Sequence, residues 1–316
     1  MATQTKKIAV ISLQNDIHAL AVYNLAKQQG YSVSIFCSDK LVSCISSICL
    51  NKENSKIHLY DINGECHDIN DFCVIWWRRV SKNQSYLDES HDKSIHEVVN
   101  QSSYIHVFGL IKNYFKGHII NKPDAAILAE NKITQIKVAI SVGFNVPNTL
   151  FTNDPAELEK FYTYNKKNII MKSYYNLAAM PIKTIHVTSR MLEDKEGIKM
   201  SPAIYQELID GNQHYRIIMI GDKYIAYETI NDDLDSRLDL RKPIKVTNIT
   251  QDLYEKLLEF LNILGLEMGI FDFKRSKNGE LFFLEINQQG QFAYLDALTG
   301  SKSLELITKH LINYAN

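Results

Sequence analysis

The sequence predicts an α/β fold that becomes α+β in its carboxy-terminal part. An apolar run over residues 8–12 is followed by apolar residues at helical spacing over 17–29 and by an alternating run over 31–37. Gly30 separates the predicted helix from the second strand. This order is a β-α-β unit, which is typical of a parallel sheet.

The last third of the chain predicts antiparallel strands instead. Residues 203–208, 215–220 and 224–229 are strand-like, and a Gly-Asp turn connects the last two. An amphipathic helix over 253–264 then precedes a hairpin. Neighbouring strands joined by short turns favour an α+β arrangement for this part.

Two boundaries divide the chain into three predicted parts. A polar helical connection ends near residue 120, and Pro123 then lies at the start of a helix predicted over 124–142. A second change, from helical to antiparallel pattern, lies near residue 202. We therefore expect an amino-terminal α/β domain over 1–120, a central segment over 121–202 and a carboxy-terminal segment over 203–316.

The composition is that of a globular protein without a strong charge preference. The chain has 316 residues and a formal net charge of −1, so nothing predicts affinity for nucleic acid or for a membrane surface. The five cysteines are odd in number and lack C-x-x-C spacing, so we expect reduced, mostly buried thiols. Without a signal-peptide core or the ~20 apolar residues of a membrane helix, a cytoplasmic location is expected.

A hairpin over residues 269–287 carries the strongest chemical signal. Asn278-Gly279 is the preferred pair for a two-residue type I′ turn. If these residues form the turn, Asp272 lies directly opposite Glu285, and Asn287 lies further along the same face. The opposite face is then predicted to join the core, through Phe271, Phe273, Phe282, Leu284 and Ile286.

Carboxylates that face each other across strands repel, by about 3 kcal/mol at ~5 Å and an effective dielectric of ~20. A cation between Asp272 and Glu285 would remove this penalty. With Asn287 they offer hard oxygen donors, which suit Mg²⁺ held together with nucleotide phosphates. The alternative is a solvated face on which the two charged side chains point apart.

Several basic side chains are weaker candidates, each with a structural alternative. Lys172 ends an apolar strand and could reach a phosphate, although most such lysines face solvent. Lys132 lies in a predicted helix, where a surface lysine is the simpler interpretation. Arg216 lies inside a strand and needs a partner, which an internal salt bridge would supply. Arg237 belongs to a charged stretch that would equally suit a surface loop.

Two further patterns are weak by themselves. A strand edge that enters a loop could offer backbone groups to a purine, through Gln206, Glu207, Leu208 and Ile209. His18 follows Asp16 closely, and we interpret it as a hydrogen-bonded structural histidine. The sequence contains no Walker A motif, no G-x-S-x-G and no H-E-x-x-H.

Taken in order, these pieces resemble the ATP-grasp superfamily. Asp16-Ile17-His18 is similar to a D-x-H opening, and Trp76-Trp77-Arg78-Arg79 to a W-x-R-R strand end. Ala129-Glu130-Asn131-Lys132 and Thr152-Asn153-Asp154-Pro155 resemble A-E-N-K and T-N-D-P segments, and Leu284-Glu285-Ile286-Asn287 resembles the carboxy-terminal signature. Within the superfamily the chain looks most like the microviridin-type peptide ligases that make graspetides, and like their glutamate-ligase relatives.

This resemblance implies an ATP-grasp fold behind a Rossmann-like pre-ATP-grasp domain, with ATP and Mg²⁺ as cofactors. Carried over by position, Lys132 and Lys172 would contact the ATP phosphates. The segment from Gln206 to Ile209 would form the hinge on the adenine side.

The same carry-over implies a catalytic set and a metal set. Arg216 and Arg237 would steady the transferred phosphoryl group and the acyl phosphate. Asp272, Glu285 and Asn287 would hold Mg²⁺, in agreement with the hairpin pattern.

The activity implied is that of a peptide macrocyclase. ATP would phosphorylate an Asp or Glu side chain of a ribosomal precursor peptide, and a Ser or Thr hydroxyl or a Lys amine would then displace phosphate. The product is an ω-ester or ω-amide crosslink. The partner would be a precursor with a leader segment, expected to dock over 182–203, and a homodimer stays open.

Two alternatives to this activity also stay open. One is a ligase that adds a free amino acid to a peptide or small-molecule carboxylate, as the glutamate-adding relatives do. The other is an ATP- and peptide-binding module without catalysis. The complete set Asp272, Glu285 and Asn287, with both lysines, argues against the second.

Overall fold

Four sheets and the helices that cover them form the described part of the chain. The structure is a computed structural model. It describes residues 7–40, 45–49, 56–80, 92–174, 184–233 and 242–315.

The amino-terminal part contains a parallel four-stranded sheet and a small antiparallel sheet. Its elements are β1 (Lys7–Ser12), α1 (Ile17–Gln28), β2 (Ser32–Cys37), β3 (Ile45–Cys49), β4 (Lys56–Tyr60), β5 (Cys66–Asp68), β6 (Phe72–Trp77), α2 (Lys93–Tyr114) and β7 (His118–Ile120). The parallel sheet has the order β2-β1-β6-β7, and β3-β4-β5 form the antiparallel one. The predicted β-α-β unit is confirmed, because α1 connects two adjacent parallel strands.

A second four-stranded sheet, which is antiparallel, lies in the central part. The elements are α3 (Pro123–Glu130), α4 (Lys132–Ser141), β8 (Thr149–Thr152), α5 (Pro155–Tyr164), β9 (Ile169–Lys172), β10 (Ile185–His186), α6 (Ser189–Glu193), α7 (Lys195–Met200) and β11 (Ala203–Glu207). The strand order is β10-β9-β11-β8, so this sheet extends to residue 207. The three-domain division stays a prediction.

The single helix predicted over 124–142 is wrong, because Asn131 interrupts it. Asn131 has an extended backbone, and its side-chain oxygen accepts the N–H groups of Ile133 (3.0 Å) and Thr134 (3.1 Å). An asparagine in this geometry is an N-cap, which stabilises the start of a new helix. The break makes Lys132 the first residue of α4.

A five-stranded antiparallel sheet dominates the carboxy-terminal part. Its elements are β12 (Gln213–Ile220), β13 (Lys223–Ile230), β14 (Ile244–Thr247), α8 (Gln251–Leu264), β15 (Met268–Arg275), β16 (Leu281–Asn287), α9 (Ala293–Thr299) and α10 (Ser303–Ala315). The strand order is β14-β13-β12-β15-β16, with every pair antiparallel. The antiparallel prediction for this part is confirmed.

Both faces of the five-stranded sheet are covered. On one face, Ile218 and Ile270 share a buried cluster with Val10 of the parallel sheet and Leu311 of α10. The opposite face packs on α4 and α8 through an aromatic cluster that includes Phe271. One face of this sheet therefore joins the amino- and carboxy-terminal parts.

Glu267, just before β15, adds a polar contact between the same two parts. Its carboxylate lies at hydrogen-bond distance from His118 of β7 and from His310 of α10, and it accepts a hydrogen bond of 2.8 Å from the Tyr314 hydroxyl. Burial by itself would raise the pKa of Glu267, but the hydrogen bonds from His310, Tyr314 and His118 lower it below its usual value. The carboxylate is therefore ionised at neutral pH.

Two further expectations concern membranes and thiols. Within the described residues, no helix combines the length and apolar character that a membrane crossing needs. Among the cysteines whose side chains are described, Cys37 is buried, Cys73 is half-buried and Cys66 is exposed, all as free thiols. Burial therefore holds for Cys37 but not for Cys66, which lies on the short strand β5.

The hairpin between β15 and β16 keeps the predicted carboxylate pair but uses a different turn. Asp272 lies opposite Glu285, as predicted. The two-residue turn is wrong: Ser276 donates its N–H to the carbonyl of Glu280 at 2.8 Å, so three residues lie between them. Gly279 takes a positive φ of 89°, which suits this longer turn.

A β-bulge reconciles the longer turn with the predicted pair. Phe273 pairs with Phe283, one residue out of the predicted register, and the register shifts between Asp272 and Phe273. Because a bulge inserts one extra residue, it brings Asp272 back opposite Glu285. Phe283, which is 1% exposed, therefore lies in the core, and the expectation for Phe282 and Leu284 is wrong.

The register predicts different costs for two adjacent phenylalanines. Phe283→Ala should lower the free energy of unfolding by about 3–5 kcal/mol, because it empties a site against Phe260 and Phe273. Phe282→Ala is the matched control and should cost about 1 kcal/mol or less, since Phe282 is only half-buried. Urea denaturation measures both. Equal costs would contradict the bulged register.

Candidate active site

A cavity of about 610 Å³ lies between the two large antiparallel sheets. Lys172 and Gln206 line it from the central sheet, and Arg216, Asp272 and Glu285 line it from the five-stranded sheet. On one face of β12 and β15, the side chains are apolar at the end that joins the core and polar at the end that lines the cavity. The face that fills the core at one end thus presents charged groups at the other.

An ionic cluster occupies the floor of this cavity. Lys132 Nζ lies 2.7 Å from Glu285, and Arg216 Nη1 lies 3.4 Å from Asp272. The Asn287 amide donates to Glu285 at 3.1 Å and to Asp272 at 3.4 Å. The side chains of Asp272 and Glu285 are only 17% and 23% exposed. The two carboxylates therefore lie together in the cavity and do not point apart into solvent. The cations Lys132 and Arg216 offset the repulsion between them.

This donor set fits a magnesium ion. Asp272, Glu285 and Asn287 project from adjacent strands on one face. Two carboxylates thus lie together, and the Asn287 amide, turned to present its oxygen, would add a third hard donor. Mg²⁺ prefers such hard oxygen ligands and commonly keeps open positions for water or phosphate. Lys132 and Arg216 lie close enough to hold the anionic groups of a bound nucleotide beside the ion.

The nucleotide candidates on the central sheet divide into two groups. Lys172 and Gln206 line the cavity and are joined by a hydrogen bond of 2.7 Å from Nζ to Oε1. The side chains that follow Gln206 do not line it: Glu207 Oε2 accepts the N–H of Asn148 at 3.2 Å instead. Leu208 and Ile209 are likewise outside the lining. A hinge contact through the backbone of 207–209 stays a prediction.

Arg237 lies outside the described residues, so its predicted role is not addressed by the structure. Residues 182 and 183 of the predicted leader-docking region also lie outside them. The rest of that region comprises β10, the edge strand of the central sheet, and the helices α6 and α7.

His214 lines the cavity two residues before Arg216. Burial lowers its pKa to about 4, with a further decrease from the nearby charge of Lys274. Its ring is therefore neutral at pH 7. Among the described residues, its buried Nε2 atom has no hydrogen-bond partner.

Asp16, His18 and Arg78 hold the loop that follows Asn287. His18 Nε2 accepts the backbone N–H groups of Phe292 and Ala293, each at 2.9 Å. Its Nδ1 lies 3.2 Å from the Asp16 carboxylate, so both ring nitrogens are used and the interpretation as a structural histidine is confirmed. Arg78 donates to the Gln289 carbonyl and lies 3.5 Å from Asp16.

The charges in this group follow from burial and pairing. Burial alone would raise the pKa of Asp16, but the hydrogen bond with His18 and the charge of Arg78 hold it well below its usual value. Burial lowers the pKa of Arg78 to about 10, where it is still charged at neutral pH. Burial also lowers the pKa of His18, so its Nε2 stays an acceptor.

The fold of this chain is similar to that of several solved structures. A macrocyclase, MdnC from Microcystis aeruginosa MRC bound to its precursor peptide MdnA, superposes with a TM-score of 0.88 at 21% identity, covering 97% of this chain and 99% of that one. An ATP-grasp ligase from Chryseobacterium gregarium, in complex with ADP and a leader and core peptide, superposes at 0.84 with 22% identity, covering 98% and 96%. The ATP-grasp ligase PsnB, with a phosphomimetic precursor variant, Mg and ADP, superposes at 0.81 with 18% identity and 99% coverage of both chains.

The chain has the ATP-grasp fold. No protein-family model and no curated protein matches the sequence, so the fold is established by structural similarity. The fold class predicted from the sequence is confirmed. The cavity between two antiparallel sheets is the feature that this fold builds from the central and carboxy-terminal parts.

Gln135 is a residue of this ATP-grasp cavity that the sequence analysis missed. Its Nε2 donates to the carbonyls of Ala129 (2.6 Å) and Ile286 (2.9 Å), and its Oε1 accepts the Ile286 N–H at 3.1 Å. It therefore ties α4 to the strand between Glu285 and Asn287. Its position three residues after Lys132, on the same side of a helix, was the signal available.

Gly290 was also missed, although it controls how closely the loop approaches the cluster. A Cβ atom at this position would lie 2.8 Å from Ile270 Cδ1, 3.2 Å from Asn287 Cβ and 3.4 Å from Arg216 Nη2. A larger residue here would push the loop away from Arg216. No local pattern in the sequence indicated this close contact.

His18 predicts a measurable effect on the whole protein. His18→Ala should lower the free energy of unfolding by about 2–4 kcal/mol, because it leaves the N–H groups of Phe292 and Ala293 without an acceptor and creates a cavity. His106→Ala, at an exposed position of α2, is the control and should change it by about 0.5 kcal/mol or less. Chemical denaturation measures both values, and similar stabilities would show that the contact is dispensable.

Proposed function

We propose that this chain is an ATP-dependent peptide ligase. It uses ATP and Mg²⁺ to activate Asp or Glu side chains of a ribosomal precursor peptide as acyl phosphates. It then joins them to Ser or Thr hydroxyls or to Lys amines, forming ω-ester or ω-amide crosslinks and releasing ADP and phosphate.

The observation that carries this proposal is the ionic cluster in one cavity of an ATP-grasp fold. Asp272, Glu285 and Asn287 supply oxygen ligands for an ion, while Lys132 and Arg216 supply positive charge beside them. Such a set suits phosphoryl transfer, in which catalysis is mainly positioning and charge stabilisation. The proposed reaction needs no covalent enzyme intermediate.

Each residue of the cluster has a distinct task in the proposed reaction. Bound Mg²⁺ would offset the phosphate charge as the bond to the transferred phosphorus breaks. Lys132 and Lys172 bind phosphate oxygens from opposite walls of the cavity. Arg216 stabilises the charge that develops on the phosphoryl group and then on the acyl phosphate, and Arg237 is proposed to assist it.

The peptide substrate is supported by what similar structures contain. MdnC was solved with a precursor peptide, and the Chryseobacterium gregarium ligase with a leader and a core peptide. The superposition covers 96% or more of each of these two chains, which supports a similar peptide-binding part in this protein. A precursor with a leader segment is therefore the proposed partner.

The proposed activity predicts a defined mass change in a peptide encoded beside this gene, rich in Thr or Ser and Asp or Glu near its end. Incubated with the protein, ATP and Mg²⁺, the peptide should lose the mass of one water per bond and release one ADP per bond. Mass spectrometry and an ADP assay measure both. A gain of amino acid mass would support the free-amino-acid ligase instead, and binding without ADP release would support the non-catalytic module.

Glu285→Gln tests the cluster directly. The substitution should reduce peptide-dependent ADP release by about 100-fold or more while the protein stays folded, because one charged oxygen ligand is lost. Glu280→Gln is the matched control, since Glu280 is exposed on the same hairpin. An unimpaired Glu285→Gln enzyme would refute the metal assignment. Circular dichroism checks that both variants are folded.

A further inference from the structure

The two adjacent arginines after β6 have different environments. Arg78 is 1% exposed, and its guanidinium contacts Asp16 and the Gln289 carbonyl, so its role is structural. Arg79 is half-buried and lines the main cavity. The pair was part of the motif found in the sequence, yet the proposed reaction uses neither side chain.

The backbone of Arg79 is held firmly at the edge of the parallel sheet. Its N–H donates to the carbonyl of Ile11 at 3.3 Å, and its carbonyl accepts the Ser38 hydroxyl at 2.8 Å. These contacts attach Arg79 to the carboxyl ends of β1 and β2. Its side chain therefore extends from a fixed base.

Arg79 lies between two cavities. Besides the main cavity it lines a second one, of about 420 Å³, formed by the loop after β1 and by Asp39 and Gln291. This second cavity lies at the carboxyl ends of β1 and β6, where the parallel sheet order reverses. Ligands of open α/β sheets characteristically bind at such a switch point.

Arg79 differs from the other basic residues of the main cavity. Lys132 contacts Glu285, Arg216 contacts Asp272, and Lys172 contacts Gln206. Within the described residues, no carboxylate lies at ion-pair distance from Arg79. A partly buried guanidinium on a fixed backbone, with no such carboxylate among the described residues, is suited to bind an anion, preferably a planar one that it can contact with two N–H groups.

We propose that Arg79 binds the carboxylate of an acidic side chain of the peptide substrate, with the neighbouring peptide backbone in the second cavity. This inference rests on the proposed function and names the substrate group that the site selects. A carboxylate is favoured over a nucleotide phosphate because the proposed function already assigns the phosphates to Lys132, Lys172 and Arg216, which line the same cavity. Two carboxylates also line the second cavity, but Asp16 is paired with Arg78 and Asp39 accepts the Gln14 N–H. The uncharged side chains of Gln14, Asn15 and Gln291 can hydrogen-bond an extended peptide there.

The binding test uses N-acetylglutamate N-methylamide, a capped glutamate, as the probe. Phenylglyoxal modifies accessible arginines, and mass spectrometry measures the rate at each one. In the wild-type protein with Mg²⁺ and ADP, the capped glutamate should slow modification of Arg79, whereas the capped glutamine should not. Arg190, exposed on α6, is the internal control and should keep its rate. Absence of protection, or full protection by Mg²⁺ and ADP alone, would overturn the proposal.

The kinetic test uses the precursor peptide encoded beside the gene. Arg79→Gln should raise KM for the peptide by about 10–100-fold, as expected for loss of a charged hydrogen bond, and leave the affinity for Mg²⁺ and ADP unchanged. Arg79→Lys should recover part of this loss, because it restores the charge without the two-pronged geometry. Lys309→Gln, an exposed control on α10, should behave as wild type.

The outcomes separate this inference from the proposed function. If the wild-type protein releases ADP with the peptide but Arg79→Gln has an unchanged KM, only the role of Arg79 is wrong. If the wild type releases no ADP, the proposed function fails, whereas protection by the capped glutamate would still support the carboxylate site. A change in nucleotide affinity alone would assign Arg79 to phosphate.

Discussion

The arrangement of this molecule depends on one electrostatic constraint: two carboxylates, Asp272 and Glu285, directly opposite each other on adjacent strands. Side by side, they would repel and weaken the sheet. The fold supplies Arg216 from the next strand and Lys132 from the start of a helix, so each carboxylate has a cation. The cost is thus offset in the folded protein, and the same four groups form a polar floor for a large cavity.

The amino-terminal part contributes to this cavity through distant hydrogen bonds. Asp16 and His18 lie at the start of the chain, yet His18 accepts two N–H groups from residues 292 and 293. Arg78 contacts the carbonyl of Gln289 in the same loop. Since this loop begins directly after Asn287, the amino-terminal sheet restricts where the loop can lie beside the cluster. Glu267, His118 and Tyr314 join the same two parts on another side.

The five-stranded sheet serves two purposes because its faces differ. One face packs on α4 and α8 through a large apolar cluster. The other is apolar only where it meets the amino-terminal part, and it becomes charged where it faces the central sheet. A core with native packing density holds the strand positions closely, so the charged side chains start from a rigid base. This is the arrangement that a site for phosphoryl transfer requires.

The sequence by itself determined the β-α-β start and the antiparallel end, and it placed Asp272 and Glu285 on the two strands of one hairpin. These features follow from local pattern: apolar periodicity and a Gly-containing turn between two strands. Tertiary structure alone decided that a bulge brings Asp272 opposite Glu285 and Phe283 into the core, and that Gln135 and Gly290 adjoin the cluster. The physical reason is that these features depend on contacts between residues far apart in the chain, whose energies no local pattern contains.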